Sequence, residues 1–536
     1  MVAPPEIDGL PPDGLKQLIE LLLAENAELK RDNAELKRAN AELHEEIVRL
    51  KGLKGRPRIK PNKPSGMDQG TGGTPREKRP GGRGRGKVTP RVKVEDQIIR
   101  AVVPRGSRFK GYEDFIVQDV VLQPRAIRYR RERWLTPEGR TVVAPLPAGV
   151  RGHFGPELHR LVLAAYHQGQ MTVPRLVRLL FDIGISISKR ELVRLLHDEP
   201  ETFLSEARDV LRAGLQTARW VSVDDTGARH QAMNGFCTQI GNDDFTWFGT
   251  TRSKSRLNFL DLLRAGHTDY VVNDAALSYM RDRDLSGPVI ALLAESTKKR
   301  FADAAAWQAH LERLGITELN VTPDPVRIAT EGALWGSVQS HEFVRDMVIL
   351  SDDAGQFAVG EHALCWVHAE RLVHKLDTFT DDQRTAQQQV RSLIWQFYAD
   401  LKDYRRTPTP LRRAHLSERF DYVFRRRTGF ATLDRLLQRL HANKAELLTV
   451  LDHPEIPLHT NGSERDIRSQ VTRRQLSGGT HSDLGRDCKD AFLGLAKTCA
   501  KLGISFWNYL GSRLSVPDQP SVPALPDLVR ARAYPA

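Results

Sequence analysis

Cysteine is scarce in this chain. Cys237, Cys365, Cys488 and Cys499 are the four in 536 residues, and no two form a C-x-x-C pair. That spacing argues against a disulfide framework and a structural zinc site, and makes a reducing compartment the expectation. Long apolar runs are missing as well. No stretch reaches the ~18–20 apolar residues of a membrane span. The opening Met1–Gly9 has neither the basic nor the apolar part of a secretory signal. The reading is therefore a cytosolic protein with no membrane partner.

What the chain does have is length and unevenly placed charge. A length of 536 residues suggests several domains and ample material for a buried core. The net charge is +13, yet residues 1–50 hold 6 Lys/Arg against 11 Asp/Glu. Residues 51–93 hold 14 against 2, so one short segment supplies almost the whole excess. Such a segment is expected to contact nucleic acid.

Leu15, Leu22, Leu29, Leu36, Leu43 and Leu50 recur every seven residues, with Ile19, Asn26, Asn33, Asn40 and Ile47 between them. Leu at d with several Asn at a predicts a parallel two-stranded coiled coil, because buried amides fix register and strand number. Residues 1–52 are accordingly read as a leucine zipper giving a homodimer or higher assembly. Residues 53–93 are rich in Gly, Pro, Lys and Arg and cannot bury a core, so they read as a disordered basic linker. Within it, Arg56 and Arg58 flank a Gly-Arg-Pro core suited to a narrow minor groove, the alternative being a solvated tether with nonspecific phosphate contacts.

Residues 94–150 carry short β-rich runs, Phe115–Leu122 and Ile127–Arg130, and are expected to form a small β unit. Residues 151–215 read as helical. In them an apolar stripe over Val173–Phe181, a Gly184 turn and a Ser188/Glu191 capping box make a helix-turn-helix pattern. Its second helix would carry Lys189, Arg190 and Arg194 toward DNA, although a plain helical hairpin has the same pattern.

Three acidic motifs stand far apart. Trp220-Val-Ser-Val-Asp224-Asp225 and Met347-Val-Ile-Leu-Ser-Asp352-Asp353 are apolar runs closing on two acids, and Asn461-Gly-Ser-Glu464-Arg465-Asp-Ile-Arg468 starts a helix. Strands are expected to end at Asp224 and Asp352, with further strands at Gly235–Ile240 and Phe245–Thr250. The first and fourth strands are expected to be neighbours in a mixed sheet. Side chains alternate along a strand, so one acid of each pair should face the partner motif. A few anionic oxygens with open coordination positions suit hard divalent ions and phosphoryl transfer.

The spread of Val-Asp224-Asp225-Thr-Gly, Ser-Asp352-Asp353-Ala-Gly-Gln-Phe, Cys365-Trp-Val-His368-Ala-Glu-Arg371 and Asn461-Gly-Ser-Glu464-Arg465-Asp-Ile-Arg468 resembles the insertion-sequence-66 family of bacterial transposases. The resemblance covers about residues 95–510. It implies an RNase H-like catalytic domain over 216–510, with a largely helical insertion at about 252–345 and a C-terminal tail over 511–536. Carried over by position, Asp224, Asp352 and Glu464 would be the catalytic and metal-binding triad, with Asp225 and Asp353 as close alternatives and Asp274 a weaker one. His368, Arg371 and Asn461 would support it, and Arg465, Arg468 and Arg473 would meet DNA. Two Mg²⁺ ions are implied, with Mn²⁺ as a substitute. Many relatives carry a Cys-rich, zinc-finger-like segment, but this chain has no cysteine before Cys237, so zinc is not expected. The implied partners are double-stranded DNA at transposon ends and target, together with helper proteins in some systems, in a nucleoid-associated bacterial setting. The competing reading is a dimeric DNA-binding regulator whose RNase H-like domain is inactive.

Overall fold

The computed structural model describes residues 94–147, 150, 152–319 and 321–533. The zipper and the basic arm, including Arg56 and Arg58, lie outside the described residues. At the start of the described chain, β1 (Arg133–Leu135) and β2 (Thr141–Val143) pair antiparallel. The runs Phe115–Leu122 and Ile127–Arg130, expected as strands, have no regular secondary structure, and Phe115, Val117, Val121 and Ile127 are exposed. A β pattern becomes a strand when its apolar face packs against neighbours. Among the described residues nothing covers these two runs.

Helices α1 (Pro156–Leu163), α2 (Val173–Asp182), α3 (Lys189–Leu196) and α4 (Pro200–Thr217) follow, with a π-helical turn Ala164–Gln168 between the first two. The Ser188 hydroxyl accepts from the Glu191 amide at 3.1 Å, and the Glu191 carboxylate accepts from the Ser188 amide at 3.3 Å. This reciprocal cap starts α3 and stops the chain from continuing the preceding turn. Leu176 and Leu180 of α2 and Leu192, Leu195 and Leu196 of α3 are buried, leaving Lys189, Arg190 and Arg194 in solvent.

The chain then enters its main sheet through β3 (Trp220–His230), β4 (Met233–Gly241) and β5 (Thr246–Thr251). A long excursion carries α5 (Arg256–Leu263), β6 (Tyr270–Val271), α6 (Asp274–Asp282), α7 (Gly287–Glu295), β7 (Arg300–Phe301), α8 (Ala304–Arg313) and α9 (Pro325–Ser340). Strands β8 (Val348–Ser351) and β9 (Glu361–Leu364) return to the sheet. A second excursion comprises α10 (Trp366–His374), α11 (Asp381–Arg406), α12 (Pro410–Phe424), α13 (Ala431–Ala442) and α14 (Lys444–Leu447). Helices α15 (Asn461–Ser477), α16 (Asp483–Leu502), α17 (Phe506–Arg513) and α18 (Leu525–Ala533) complete the chain.

The result is a mixed α/β fold around a five-stranded sheet of order β5-β4-β3-β8-β9. Strands β3, β4 and β5 form an antiparallel meander, whereas β8 is parallel to β3 and β9 parallel to β8. One expectation needs correcting: β3 does not end at Asp224. It continues to His230, with Asp224 opposite Gln239 and Asp225 opposite Thr238 on β4. Only its pairing with β8 stops early, at Ser222 opposite Leu350. The hairpin partner β4 thus supports the strand beyond the point where its parallel neighbour leaves.

Helices α15 and α16 pack on β3, β4 and β5. Val221, Val223 and Ile349 of the sheet are completely buried, in one cluster with Phe245 and Phe492. The second helical excursion closes on aromatics instead: Trp366 lies 5.2 Å from Phe397, and Phe420 lies 4.3 Å from Phe424. The Trp366 indole N–H donates to the Leu447 carbonyl at 2.9 Å, which satisfies its one polar atom inside that core. No helix among the described residues is long and apolar enough to cross a membrane.

Candidate catalytic centre

Alternation along β3 puts Ser222 and Asp224 on one face of the sheet and Val223 and Asp225 on the other. A direct contact identifies the first face. The Ser222 and Ser463 hydroxyls are 2.5 Å apart, both buried, and Ser463 immediately precedes Glu464 on α15. Asp224 therefore shares a face with the start of α15. On the neighbouring strand, Leu350 is the parallel partner of Ser222, so Asp352 leaves β8 level with Asp224.

The electrostatics agree with this placement. Burial, then the charges of Asp352 and Glu464, push the Asp224 carboxyl up to about 7, against the amide of Asp225, which favours the carboxylate. That amide donates to Asp224 Oδ1 at 2.8 Å. Among the described residues neither Asp224 nor Asp352 has an ion-pair partner. The charges of Asp352 and Glu464 both reach Asp224, although the oxygens of the three carboxylates do not all lie within 4.8 Å of one another as they stand. A hard oxygen-donor set of this kind fits a divalent cation of the Mg²⁺ class.

The second acid of each pair has a different role. Asp225 forms an ion pair with Lys254 at 2.9 Å and accepts from the Gln356 amide at 2.7 Å. Asp353 sits in the left-handed region at φ 76°, where its carboxylate meets the Arg439 guanidinium and the Asn443 amide. Both are already neutralised. Asp274 starts α6 beside its Asn273 cap, within the first helical excursion.

Glu464 is held from α10. His368 Nε2 lies 3.4 Å and an Arg371 guanidinium nitrogen 3.3 Å from its Oε1. Burial works against charging His368, but the Cys365 thiol and Glu464 outweigh it and raise its pKa. Cys365 bridges two motifs: its amide donates to the Ser351 carbonyl at 2.9 Å, and its Sγ accepts from the Thr460 amide at 3.3 Å. One residue thus ties the strand leading to Asp352 to the cap of the helix bearing Glu464. Asn461 is the first residue of α15, and its carbonyl accepts from Arg465 Nε at 3.2 Å.

Arg465 and Arg468 are exposed on α15, whereas Arg473 is buried. Its guanidinium donates to the carbonyls of Tyr166 at 2.9 Å and Met171 at 3.4 Å and lies 3.9 Å from the Tyr166 ring centre. The expected DNA contact is thus occupied inside the protein, where it docks α15 on the turn leading to α2. Arg474 likewise donates to the Gly227 carbonyl of β3.

Sequence reasoning missed Ser222, Ser463, Lys254 and Arg439. Ser463 lies within a recognised motif, but Lys254 and Arg439 carry no local signal. His267, Asp269 and His341 also bring ligand-type atoms within 4.8 Å of one another. There the two imidazoles stack at 3.6 Å, and Asp269 accepts from His341 at 2.9 Å and Ser337 at 2.9 Å, so packing and hydrogen bonds account for the cluster.

The sequence profile of the Transposase IS66 family matches residues 354–487, from just after Asp353 through Glu464 into α16. An uncharacterized protein of Sinorhizobium fredii, y4jO, is 49% identical over 324 residues, which is 60% of this chain and the whole of that relative. The match to this family's profile, which spans the Cys365, His368 and Glu464 motifs, leads to one assignment: the chain belongs to the IS66 family of transposases.

Proposed function

We propose that this transposase is a DDE-type enzyme that cleaves DNA at insertion-sequence ends and joins the freed end to a target, working from an RNase H-like sheet. The observation that carries the reading is the parallel pairing of β3 with β8, which supports Asp224 and the residue just past β8, Asp352, as neighbours beside the helix that bears Glu464. Strand order and direction support the fold reading: an antiparallel meander of three strands, then two parallel strands on the far side of the first.

In this reading Asp224, Asp352 and Glu464 hold Mg²⁺, with Mn²⁺ as a substitute. Such ions, when bound, would supply Lewis-acid stabilisation of charge on phosphate oxygens, with the three carboxylates as their protein ligands. His368 and Arg371 keep the Glu464 carboxylate aimed at the centre, and Cys365 keeps the two motifs in register. Arg465 and Arg468 neutralise a DNA phosphate beside the scissile bond, since a planar guanidinium can bond a phosphate through two N–H groups. Lys189, Arg190 and Arg194 of α3 lie free to enter a groove, as a second helix of this kind does. The zipper over 1–52 pairs two chains, as a reaction on two DNA ends requires, and the arm over 53–93 adds phosphate contacts.

A supercoiled-plasmid assay with Mg²⁺ tests the proposal. The expected result is nicked product dependent on the metal, and joined product when a cut transposon end is supplied. Tight DNA binding with neither product across a range of Mg²⁺ and Mn²⁺ would favour the regulatory reading instead.

A further inference from the structure

The stretch from Arg425 to Arg439 contains five arginines and a single acid, Asp434. That acid is already engaged: it accepts from the amide of Thr428 at 2.8 Å and from the Thr428 hydroxyl at 2.7 Å. Helix α13 buries Leu433, Leu437 and Leu440 on one side. Its opposite side presents Thr432, Arg435, Gln438 and Arg439 to solvent. A solvated helix face normally mixes both signs. This one offers only cations and hydrogen-bonding groups.

The position of the face is as informative as its charge. The Arg439 guanidinium meets Asp353, and Asn443 Nδ2 lies 3.4 Å from the same carboxylate. The face therefore begins one residue from Asp352. Arg435 stands one turn further along, about 6 Å away at 1.5 Å per residue. Arg427 and Arg435 have no ion pair among the described residues, and Arg427 is exposed in the turn that leads into the helix. Helix α3, which carries Lys189, Arg190 and Arg194, belongs to a segment that reaches α15 through its far half, where Gln170 and Arg473 meet Ser469, Tyr166 and Met171.

We infer that the exposed face of α13, with Arg427, is a duplex-DNA surface on the side of the catalytic centre opposite α3, and that it holds DNA flanking the transposon end. This rests on the reading of Asp224, Asp352 and Glu464 as the cleavage site. A phosphate strand leaving that site past Asp353 would meet Arg439, which is paired with Asp353, and then the unpaired Arg435.

The test compares the full-length protein with the double variant Arg427→Gln/Arg435→Gln, by fluorescence anisotropy without divalent metal over a series of salt concentrations. Two duplexes are used, one ending flush at the transposon terminus and one extended by about a helical turn of flanking DNA. On the extended duplex the variant should lose affinity about ten-fold, and the slope of log affinity against log salt should fall by about 0.9 for each phosphate contact removed. On the flush duplex it should bind like wild type. The matching Arg→Lys pair should restore the salt slope. Equal loss on both duplexes would place the face on terminal-repeat DNA and overturn the assignment. Unchanged affinity and slope on both would overturn the surface altogether, leaving an acidic protein partner to be sought. A plasmid-nicking assay run alongside separates this from failure of the cleavage reading, because binding without divalent metal does not depend on cleavage.

Discussion

Asp224 on β3 and Asp352, the first residue past the end of β8, each lie two residues beyond the last pair in register, Ser222 on β3 and Leu350 on β8. Because side chains alternate, two steps along β3 return Asp224 to the face of Ser222. Their neighbours Asp225 and Asp353 end instead against Lys254 and Arg439.

This distinction can be tested by charge removal. Asp224→Asn, Asp352→Asn and Glu464→Gln should each reduce plasmid nicking by roughly a thousand-fold or more, since a lost ligand removes several kcal/mol of transition-state stabilisation. DNA binding should persist. Asp225→Asn and Asp353→Asn should cost far less, because each loses a partly exposed ion pair. If Asp225→Asn were the inactive variant and Asp224→Asn the active one, the assignment of the facing acid would be reversed.

The contact between Ser222 and Ser463 should appear as an energetic coupling. Ser222→Ala leaves the buried Ser463 hydroxyl without its acceptor, at a cost of about 1–3 kcal/mol, whereas Ser463→Ala should cost less because Ser222 still donates to the Gly241 carbonyl at 3.2 Å. The double alanine variant should cost less than the sum of the two, as read by denaturant unfolding in a double-mutant cycle. Strict additivity would mean that the two hydroxyls do not interact in solution.

A pH dependence follows from Glu206 on α4. Burial pushes its carboxyl up, but this is outweighed by Arg513, which donates from Nε at 2.9 Å and from a terminal nitrogen at 2.8 Å, by the Leu525 amide at 3.0 Å and by the Tyr509 hydroxyl at 2.8 Å. The folded-state pKa is therefore lowered. A lowered carboxylate pKa stabilises the fold above the unfolded value, about 4.3, and that contribution is lost as pH falls through the folded value. Glu206→Gln should destabilise the protein by about 3–5 kcal/mol near neutral pH, as expected when one partner of a buried ion pair is removed. The gap from wild type should stay level down to about pH 5 and shrink below about pH 4. A gap that widened on acidification would contradict the direction assigned to Glu206.

Much of this centre could be read from the chain because its strands are written in β-branched residues. Val221, Val223, Val348 and Ile349 announce β3 and β8, and the acids that follow them are unmistakable. Ser188 and Glu191 likewise reveal the start of α3. The remainder depended on partners distant in sequence. The continuation of β3 through Thr226-Gly-Ala-Arg-His230 contains a glycine and a basic residue that argue against a strand, and β4 decides otherwise. Strand β9 reads Glu-His-Ala-Leu, with no β-branched or aromatic residue, and forms because β8 offers it an open edge. Arg473 looked like a surface cation until Tyr166 supplied a ring and a carbonyl to bury it. The apolar run from Phe115 to Leu122 has the composition of a strand but no neighbour to make it one.

The heptads over 15–50 carry their own expectation. Full-length protein should be dimeric by light scattering, and Leu29→Pro/Leu36→Pro should give monomers, since proline costs a helix interior about 3 kcal/mol or more and removes two knobs. A dimer surviving in that variant would relocate self-association to residues beyond the zipper.

Helix α15 is fastened to β3 along its whole length. Ser463 meets Ser222 near one end, Arg474 bonds Gly227 near the other, and Thr480 beyond the helix bonds the His230 ring at 2.8 Å. Two of the three acids thus ride on a single rigid bracket, and the spacing between Asp224 and Glu464 is set when the protein folds. Asp352 alone follows a separate strand, β8, whose far neighbour β9 leads directly into the second helical excursion. Cys365 fastens the end of β8 to the cap of α15 as well, so the segments bearing all three acids are held to one frame, and DNA entering between them would have to fit that frame.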